Sequence, residues 1–463
     1  MERTSLIAAK KTDAVLSACV APLSCVQQRV WELEQNIRGP YYGRVLHRFR
    51  GPLSIETLSF SLTEIVRRHE ILRTGFPVVK GRPIQLVYPP VDRPLPLIEL
   101  TSLPGRARER AVLDALQDRC EVPFDFTRGP LLYWTLLRLG EEDHVLDITL
   151  HHLIFDGSSQ EILFREVSAL YYARSSARPH ALPELKSQYR HFSIREQQWV
   201  RNGGIKPHLE YWRRQMSEEL PQLRLPTDRP RPSAPTYRGS RRELSFSLDI
   251  VRELQTLNRS ERATMFMTAI AALIVSLHRW TGQEEMVIGA PIANRTQVED
   301  EKLIGPFVNI LALRTNLTGC LSFRELLRRV REETLEAYAH QVFPFAELLR
   351  MLWPGKPLAN YGAFGEPPLF QVCFQFEGRP PGPAQSPGLL QVEPFNTGQV
   401  VIGCDLFLHM VEQGPALGGY LAFSTDIFNE STGARFAREF RDLLDQIVKN
   451  PDLAITRSNS SVL

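Results

Sequence analysis

The sequence predicts an α/β protein built as two lobes of similar size. Three observations carry this reading. The chain has 463 residues, whereas a single core seldom grows past ~250–300 residues. Strand-like and helix-like patterns alternate loosely in both halves, with no short-period repeat. Between the halves runs "LPTDRPRPSAPTYRGS" (225–240). Proline fixes φ and lacks an amide hydrogen, so no regular element runs through such a stretch. The expected organisation is an N-terminal extension over 1–20, a first lobe over 21–185, a crossover over 186–240 and a second lobe over 241–463.

The elements follow in order. Residues 54–66, "SIETLSFSLTEIV", read as a helix that Ser54 can cap, with Leu58, Leu62, Ile65 and Val66 on one stripe. It delivers Arg68, His69 and Arg73 near its end. "LLYWTLLRL" (131–139) and "HVLDITLHH" (144–152) read as strands joined by the turn "GEED". Side chains alternate along a strand, so Leu146, Ile148, Leu150 and His152 share one face. His151 falls on the other, with Val145, Asp147 and Thr149. A helical pattern resumes over 158–173.

In the second half, "ELSFSLDIVRELQTLNRS" is a strand and then a helix. "TMFMTAIAALIVSLHRWTG" is a buried helix ending at Gly282, and "EMVIGAPIANRT" is a strand opening into a loop. "SFRELLRRVREETLEAYAH" (322–340) starts with a Ser322/Glu325 capping box and places Leu326, Val330 and Leu335 in its apolar stripe. "ARFAREFRDLLDQIVKN" turns Phe436, Phe440, Leu443, Leu444 and Ile447 inward and stops at Pro451.

Composition narrows the function. With 43% hydrophobic and 23% charged residues, the chain reads as ordinary soluble globular protein. Its net charge of +3, with scattered arginines, gives no footprint for nucleic acid. Cys19, Cys25, Cys120, Cys320, Cys373 and Cys404 form no CxxC, which argues for reduced thiols in the cytoplasm over a zinc site or disulfide framework. The first residues lack the apolar region of a signal peptide. "TAIAALIVSL" (268–277) is far shorter than the ~20 apolar residues a membrane span needs. A cytoplasmic monomer with no membrane partner is expected.

The chemistry concentrates in "LHHLIFDGSS" (150–159). A histidine at a strand end can take or hold a proton near neutral pH. Asp156 can orient a ring or pair with an arginine, and Gly157 allows a tight turn with its N–H close to a substrate oxygen. Adjacent histidines on opposite strand faces cannot easily share one metal ion, and no third cluster stands nearby.

"HHLIFDG" resembles the HHxxxDG signature of condensation domains of non-ribosomal peptide synthetases. Further stretches are similar to that family in the same order: "LSCVQQRVWELEQ" (23–35), "RRHEILRTGF" (67–76), "FDFTRGPLL" (124–132), "LPTDRPRP", "GAPIANRT", "IGPFVNILALR" (304–314), "HQVFPFAEL" (340–348) and "PPLFQVCFQF" (367–376). The resemblance covers roughly residues 20–452.

It implies two chloramphenicol-acetyltransferase-like lobes in a V-shaped pseudo-dimer, with a central tunnel. Donor and acceptor carrier proteins dock at its two mouths. Each presents its substrate on a phosphopantetheine arm, and no metal or directly bound cofactor is needed. The acceptor's amine attacks the donor thioester. His152 is then the catalytic histidine, as general base or by positioning the amine, and Gly157 N–H is a donor to the thioester carbonyl or oxyanion. His151 is a support residue. Asp156 is structural, with Arg68 and Arg73 the candidates to pair with it. Asn309 lies near the tunnel.

Departures from the family pattern are Ser158 where Trp is common, His191 and Val342 for aspartates, and Ile310 for threonine. They bear on substrate and partner geometry, including a hydroxyl acceptor and an ester product. The opening Q-x-R-x-W suits an L-configured, fatty or polyketide acyl donor. Rival readings are an epimerisation domain, a CoA-type acyltransferase and an inactive carrier-recruiting platform.

Overall fold

The capped amphipathic stretches and alternating apolar runs become the following elements in a computed structural model. It describes residues 19–36, 42–120, 123–216, 219–233, 235–356, 369–378, 390–397 and 399–455. The first half holds β1 (Val20–Pro22), α1 (Cys25–Asn36), β2 (Tyr42–Arg50), α2 (Ile55–Arg68), β3 (Thr74–Gly75), β4 (Val78–Val79), β5 (Arg82–Val87), β6 (Leu97–Glu99), α3 (Gly105–Cys120), β7 (Leu132–Gly140), β8 (Asp143–His151) and α4 (Gly157–Ser175). Then come α5 (Tyr189–Arg201), α6 (Lys206–Gln215), β9 (Arg238–Ser245), α7 (Leu248–Glu261), α8 (Met265–Thr281), β10 (Glu285–Ile292), β11 (Asn309–Asn316), α9 (Phe323–Ala339) and α10 (Phe345–Leu352). β12 (Val372–Glu377), β13 (Gln391–Pro394), β14 (Gln399–Val401), β15 (Leu406–Gln413), β16 (Ala416–Ser424) and α11 (Glu430–Lys449) complete the chain. The proposed N-terminal extension lies outside the described residues up to position 18, as does the tail from 456.

Two mixed sheets organise these elements. The first runs β13-β2-β8-β7-β6 and the second β11-β10-β12-β15-β16-β9-β14. A small sheet, β1-β5-β3 with β4 on β5, lies beside them. In the first sheet Leu146, Ile148 and Leu150 of β8 pack with Leu58, Leu62, Ile65 and Val66 of α2, as their spacing predicts. Ser54 caps α2 by accepting from Thr57 N. The second core forms around α8, in which every residue from Phe266 to Leu277 is buried. Gly282, at φ 72°, ends that helix in the left-handed conformation glycine adopts readily.

Three expectations change. Residues 186–240 are not all linker, because α5 and α6 fill much of the span. The irregular crossover is confined to the Pro-rich stretch, and β9 already begins at Arg238. The lobes also exchange chain: β13 pairs antiparallel with β2, from Gln391↔Arg50 to Pro394↔His47. Leu303, Ile304 and Phe307 likewise pack into the first core. Leu335 is 51% exposed, while Thr334 and Ala337 are buried on α9. At 3.6 residues per turn, nine residues carry Leu335 half a revolution from Leu326. The Ser322/Glu325 capping box and the inward Phe436, Phe440, Leu443, Leu444 and Ile447 form as predicted. Among the described residues no single helix is long and apolar enough to cross a membrane.

Candidate active site

β8 carries the two histidines to the sheet's end, where His151 pairs with Tyr42 at the start of β2. The strand stops there, and His152 opens a turn rather than extending the ladder. The environments of the two rings differ, but not through alternation, because the strand expected to reach His152 ends one residue earlier. His151 is 1% exposed. Its Nδ1 accepts from Leu153 N at 3.1 Å, so Nε2 carries the proton and points it at Glu34 Oε2, 3.2 Å away. Phe124 and Phe126 stand edge-on to the ring at 5.5 and 5.0 Å. This histidine braces the turn. Gln27 of α1 adds a bond from Nε2 to Leu153 O at 2.9 Å.

His152 lies on the wall of a cavity. Its Nδ1 is 3.4 Å from Phe155 O, a carbonyl that can only accept. That contact favours the Nδ1–H tautomer and leaves Nε2 as the accepting nitrogen. Burial, and then the neighbouring His151, push its pKa down to about 4. The folded value lies below the ordinary 6.5, so the unfolded chain binds this proton first. The resulting loss of stability begins as pH falls through about 6.5 and is complete below about 4. The imidazole is expected to stay neutral from pH 6 to 8. A Cε1–H NMR titration, with the resonance assigned by its loss in His152→Gln, should show no protonation step there.

Asp156 closes the turn and caps α4. Oδ1 accepts from Ser159 N at 2.9 Å and Ser159 Oγ at 2.6 Å. Oδ2 accepts from Phe307 N and Val308 N at 3.0 and 3.2 Å. Arg295 closes on both oxygens at 3.0 Å, its guanidinium 4.5 Å over the Phe307 ring. The pair is dry, with side chains 6% and 3% exposed. Gly305 N bonds Ser159 Oγ at 3.0 Å, and a Cβ on Gly305 would strike Tyr189. Asp156 thus ties α4 of the first lobe to the loop before β11.

This corrects the pairing expected from sequence. Neither Arg68 nor Arg73 is the partner of Asp156. Arg68 Nε bonds Glu166 of α4 at 2.9 Å, and its NH2 bonds Pro183 O at 2.6 Å. His69 Nε2 shares that carboxylate at 2.8 Å, and Glu166 is held below the usual carboxyl range although burial opposes this, because His69 and then Arg68 outweigh it. Arg73 bonds Tyr88 O at 2.5 Å. Arg68 and His69 therefore fix the middle of α4 against the end of α2, remote from the N-terminus of α4, while Arg73 holds the backbone after β5. Arg295 sits in "GAPIANRT", 139 residues from its partner. No local spacing encodes a pair so far apart. A lone arginine in a loop leaving a strand is its only trace in the sequence.

The cavity holds about 230 Å³, and both halves of the chain wall it. Arg29, Val30, Tyr42, His152, Phe155 and Glu196 line it together with Asn309, Pro344, Phe345 and Val401. Asn309 is on the wall, and its amide is fully engaged. Nδ2 donates to Gln341 O and Phe343 O at 2.8 Å, and Oδ1 accepts from Phe345 N at 2.8 Å. It shapes the wall by clamping the 341–345 loop. Gly157 and Ser158 are not on that wall. They are the first two residues of α4, whose opening amides lack intrahelical acceptors. Gly157 has no left-handed φ, and a Cβ there would meet only Gln375 Nε2, at 3.9 Å. Tight turning is not what this glycine supplies. It leaves open space facing β12. Gly157→Ala is expected to change stability by no more than ~0.5 kcal/mol, measured by chemical denaturation, so that any loss of activity would report the site and not the fold.

The family comparison fits this geometry. The condensation domain model matches residues 17–460.

The chain belongs to the condensation domain family.

Its relatives are synthetases. One of the linear gramicidin synthase proteins of Brevibacillus parabrevis is 38% identical over 439 residues, 94% of this chain and 8% of that protein. Phosphinothricin tripeptide synthetase PhsC of Streptomyces viridochromogenes is 34% identical over 434 residues, 93% of this chain and 39% of that one. The condensation domain thus spans less than a tenth of the gramicidin synthase protein. Among solved structures, the X-domain from teicoplanin biosynthesis is similar with a TM-score of 0.82 and 28% identity, covering 96% of this chain and 97% of that one. The condensation domain from the Monacolin K polyketide synthase MokA has a TM-score of 0.80 at 22% identity, covering 94% and 99%, a likeness of fold. The mixed α/β architecture of this condensation domain is the one those structures share. Among its described residues no cluster of His, Cys, Asp and Glu could hold a metal ion.

Proposed function

We propose that this condensation domain joins a carrier-bound acyl thioester to the amine of an acceptor, giving an amide. A single observation supports it most. His152, neutral and held at Nδ1 by the Phe155 carbonyl, stands on the wall of a cavity drawn from both halves of the chain.

The acceptor nitrogen attacks the thioester carbonyl, the C–S bond breaks, and the proton lost by nitrogen ends on the departing thiol. His152 hydrogen-bonds the amine during attack. Its depressed basicity suits orientation and transient proton sharing more than holding a full proton. Gly157 N–H, at the N-terminus of α4, is the donor proposed for the carbonyl oxygen as charge develops there. Asp156 and Arg295 act on neither reactant; they hold the turn that carries both groups. The substrates arrive on phosphopantetheine arms of donor and acceptor carrier proteins, and the domain works as a monomer in the cytoplasm.

A recruiting platform is the second reading. The X-domain structure supports it, because the teicoplanin X-domain is also known in a complex with OxyB. Incubation with an acyl-loaded donor carrier and an aminoacyl acceptor carrier separates them. A mass gain of one acyl group on the acceptor supports condensation. An unchanged acceptor supports the platform, and a donor with inverted configuration and no transfer supports epimerisation.

A further inference from the structure

Two ionisable side chains on the cavity wall have no ion pair among the described residues: Arg29, which is buried, and Glu196, which is partly buried. Arg29 is 5% exposed, and its Nε has no partner. Its guanidinium rests 5.1 Å over the Phe345 ring, itself part of the wall. The buried arginine at the turn, Arg295, is by contrast paired with Asp156.

Glu196 projects from α5 to the same wall. Its carboxylate accepts from Cys25 N at the start of α1, at 2.6 Å. The charges around it come from several elements. Cys25 of α1 is a neutral thiol that burial, then Glu196, pushes up. From α10 come Glu347 and Arg350, which pair with each other, and Arg350 also bonds Gln28 Oε1 at 3.1 Å. Among the described residues no cation stands within ion-pair reach of Glu196, and Arg29 does not neutralise it. Burial pushes its carboxyl up to about 7; the Cys25 bonds oppose this and Glu347 adds to it.

We propose that Glu196 is a specificity-determining residue that binds an ammonium nitrogen of the acceptor acyl group inside the cavity. The inference rests on the condensation reading for which ligand enters, and it commits that reading to amine acceptors over hydroxyl ones. An entering ammonium supplies the cation Glu196 lacks, and an α-ammonium gives its extra proton to the Glu196 carboxylate before the freed amine attacks the thioester. Arg29 repels that nitrogen and attracts the carbonyl oxygen of the same group. Opposite charges at two places on one wall thus orient a dipolar aminoacyl group. His152 is neutral and does not compete for the cation. Ammonium binding also expels the proton from Glu196, so affinity for the cation should fall as pH drops below about 7.

Calorimetry with N-acetylcysteamine thioesters tests this without requiring transfer. Norleucyl against 2-hydroxyhexanoyl probes the α-nitrogen, and ornithyl against norleucyl probes a side-chain nitrogen. The wild-type domain is expected to favour the cationic member of at least one pair by about tenfold or more. Glu196→Gln keeps the size and the acceptor for Cys25 N, and should bring that ratio to about unity. Glu196→Asp should retain part of it. No preference in the wild type for either pair overturns the proposal, and so does a preference that survives in Glu196→Gln. An equal loss for both members, with a lowered melting temperature, also overturns it, since the residue would then only cap α1. Preference without acyl transfer in the carrier assay would instead sink the condensation reading and leave the binding site standing.

Discussion

Replacing His152 by alanine is expected to slow amide formation on the acceptor carrier by about 10²–10⁴-fold, the range a positioned acid–base side chain contributes. The geometry explains why no neighbour should compensate. His151 is the adjacent imidazole, but Leu153 N and Glu34 occupy both its nitrogens and two phenylalanines enclose its ring. Asn309 commits its amide to three backbone groups. His152→Gln should recover part of the loss if orientation dominates, since an amide oxygen can still accept from the amine. It should recover none if the ring must take the proton. Single-turnover mass measurements on the acceptor carrier read both, and wild-type rates in His152→Ala would remove this residue from the chemistry. The change should cost little stability, because an alanine here leaves no charge behind.

The second large effect is on stability. Asp156→Ala should destabilise the domain by about 3–5 kcal/mol, the cost of breaking a buried ion pair from one side. Arg295 would remain buried without its counter-ion, and Phe307 N, Val308 N and Ser159 N would lose an acceptor together. Transfer should fall as well, since the carboxylate fixes the turn between His152 and Gly157. Arg295→Met should be milder, because the carboxylate keeps its amide and hydroxyl donors. The double variant Asp156→Ala with Arg295→Met should be less destabilised than the sum of the singles, which is the signature of direct coupling. Arg68→Met combined with Asp156→Ala should be additive, because Arg68 spends itself on Glu166 and Pro183 O. Chemical denaturation across these variants measures each term. Coupling to Arg68 in place of Arg295 would refute the assignment.

Local signals are legible in the sequence with little loss. Caps and apolar stripes sit three or four residues apart, so Ser54, Ser322 and Gly282 mark helix ends without tertiary help. The one failure of this kind, Leu335, comes from carrying a stripe nine residues without tracking its rotation. Alternation predicts that the two histidines part, yet what parts them is the end of β8 at His151, with His152 in the turn that follows.

Long-range pairings are another matter. Arg68 and Arg73 suggest themselves for Asp156 because they follow closely at a helix end, yet Arg68 turns to Glu166 and Arg73, in the short turn after α2, bonds Tyr88 O. Arg295 wins because the loop after β10 packs against the N-terminus of α4, a fact of how the two halves meet and not of spacing. The exchange of β13 onto the first sheet is invisible in the sequence for the same reason. So is the cavity, whose walls come from segments separated by hundreds of residues.

By itself the sequence determined the family, the elements and the residues able to do chemistry, since motif, cap and periodicity are properties of short windows. Only the tertiary structure decided which charges meet. It paired Asp156 with Arg295, clamped Asn309 onto a loop, and left Arg29 and Glu196 facing a cavity. A buried charge is settled by what lies within a few ångströms of it, and neighbours at that distance are chosen by the packing of whole sheets and helices.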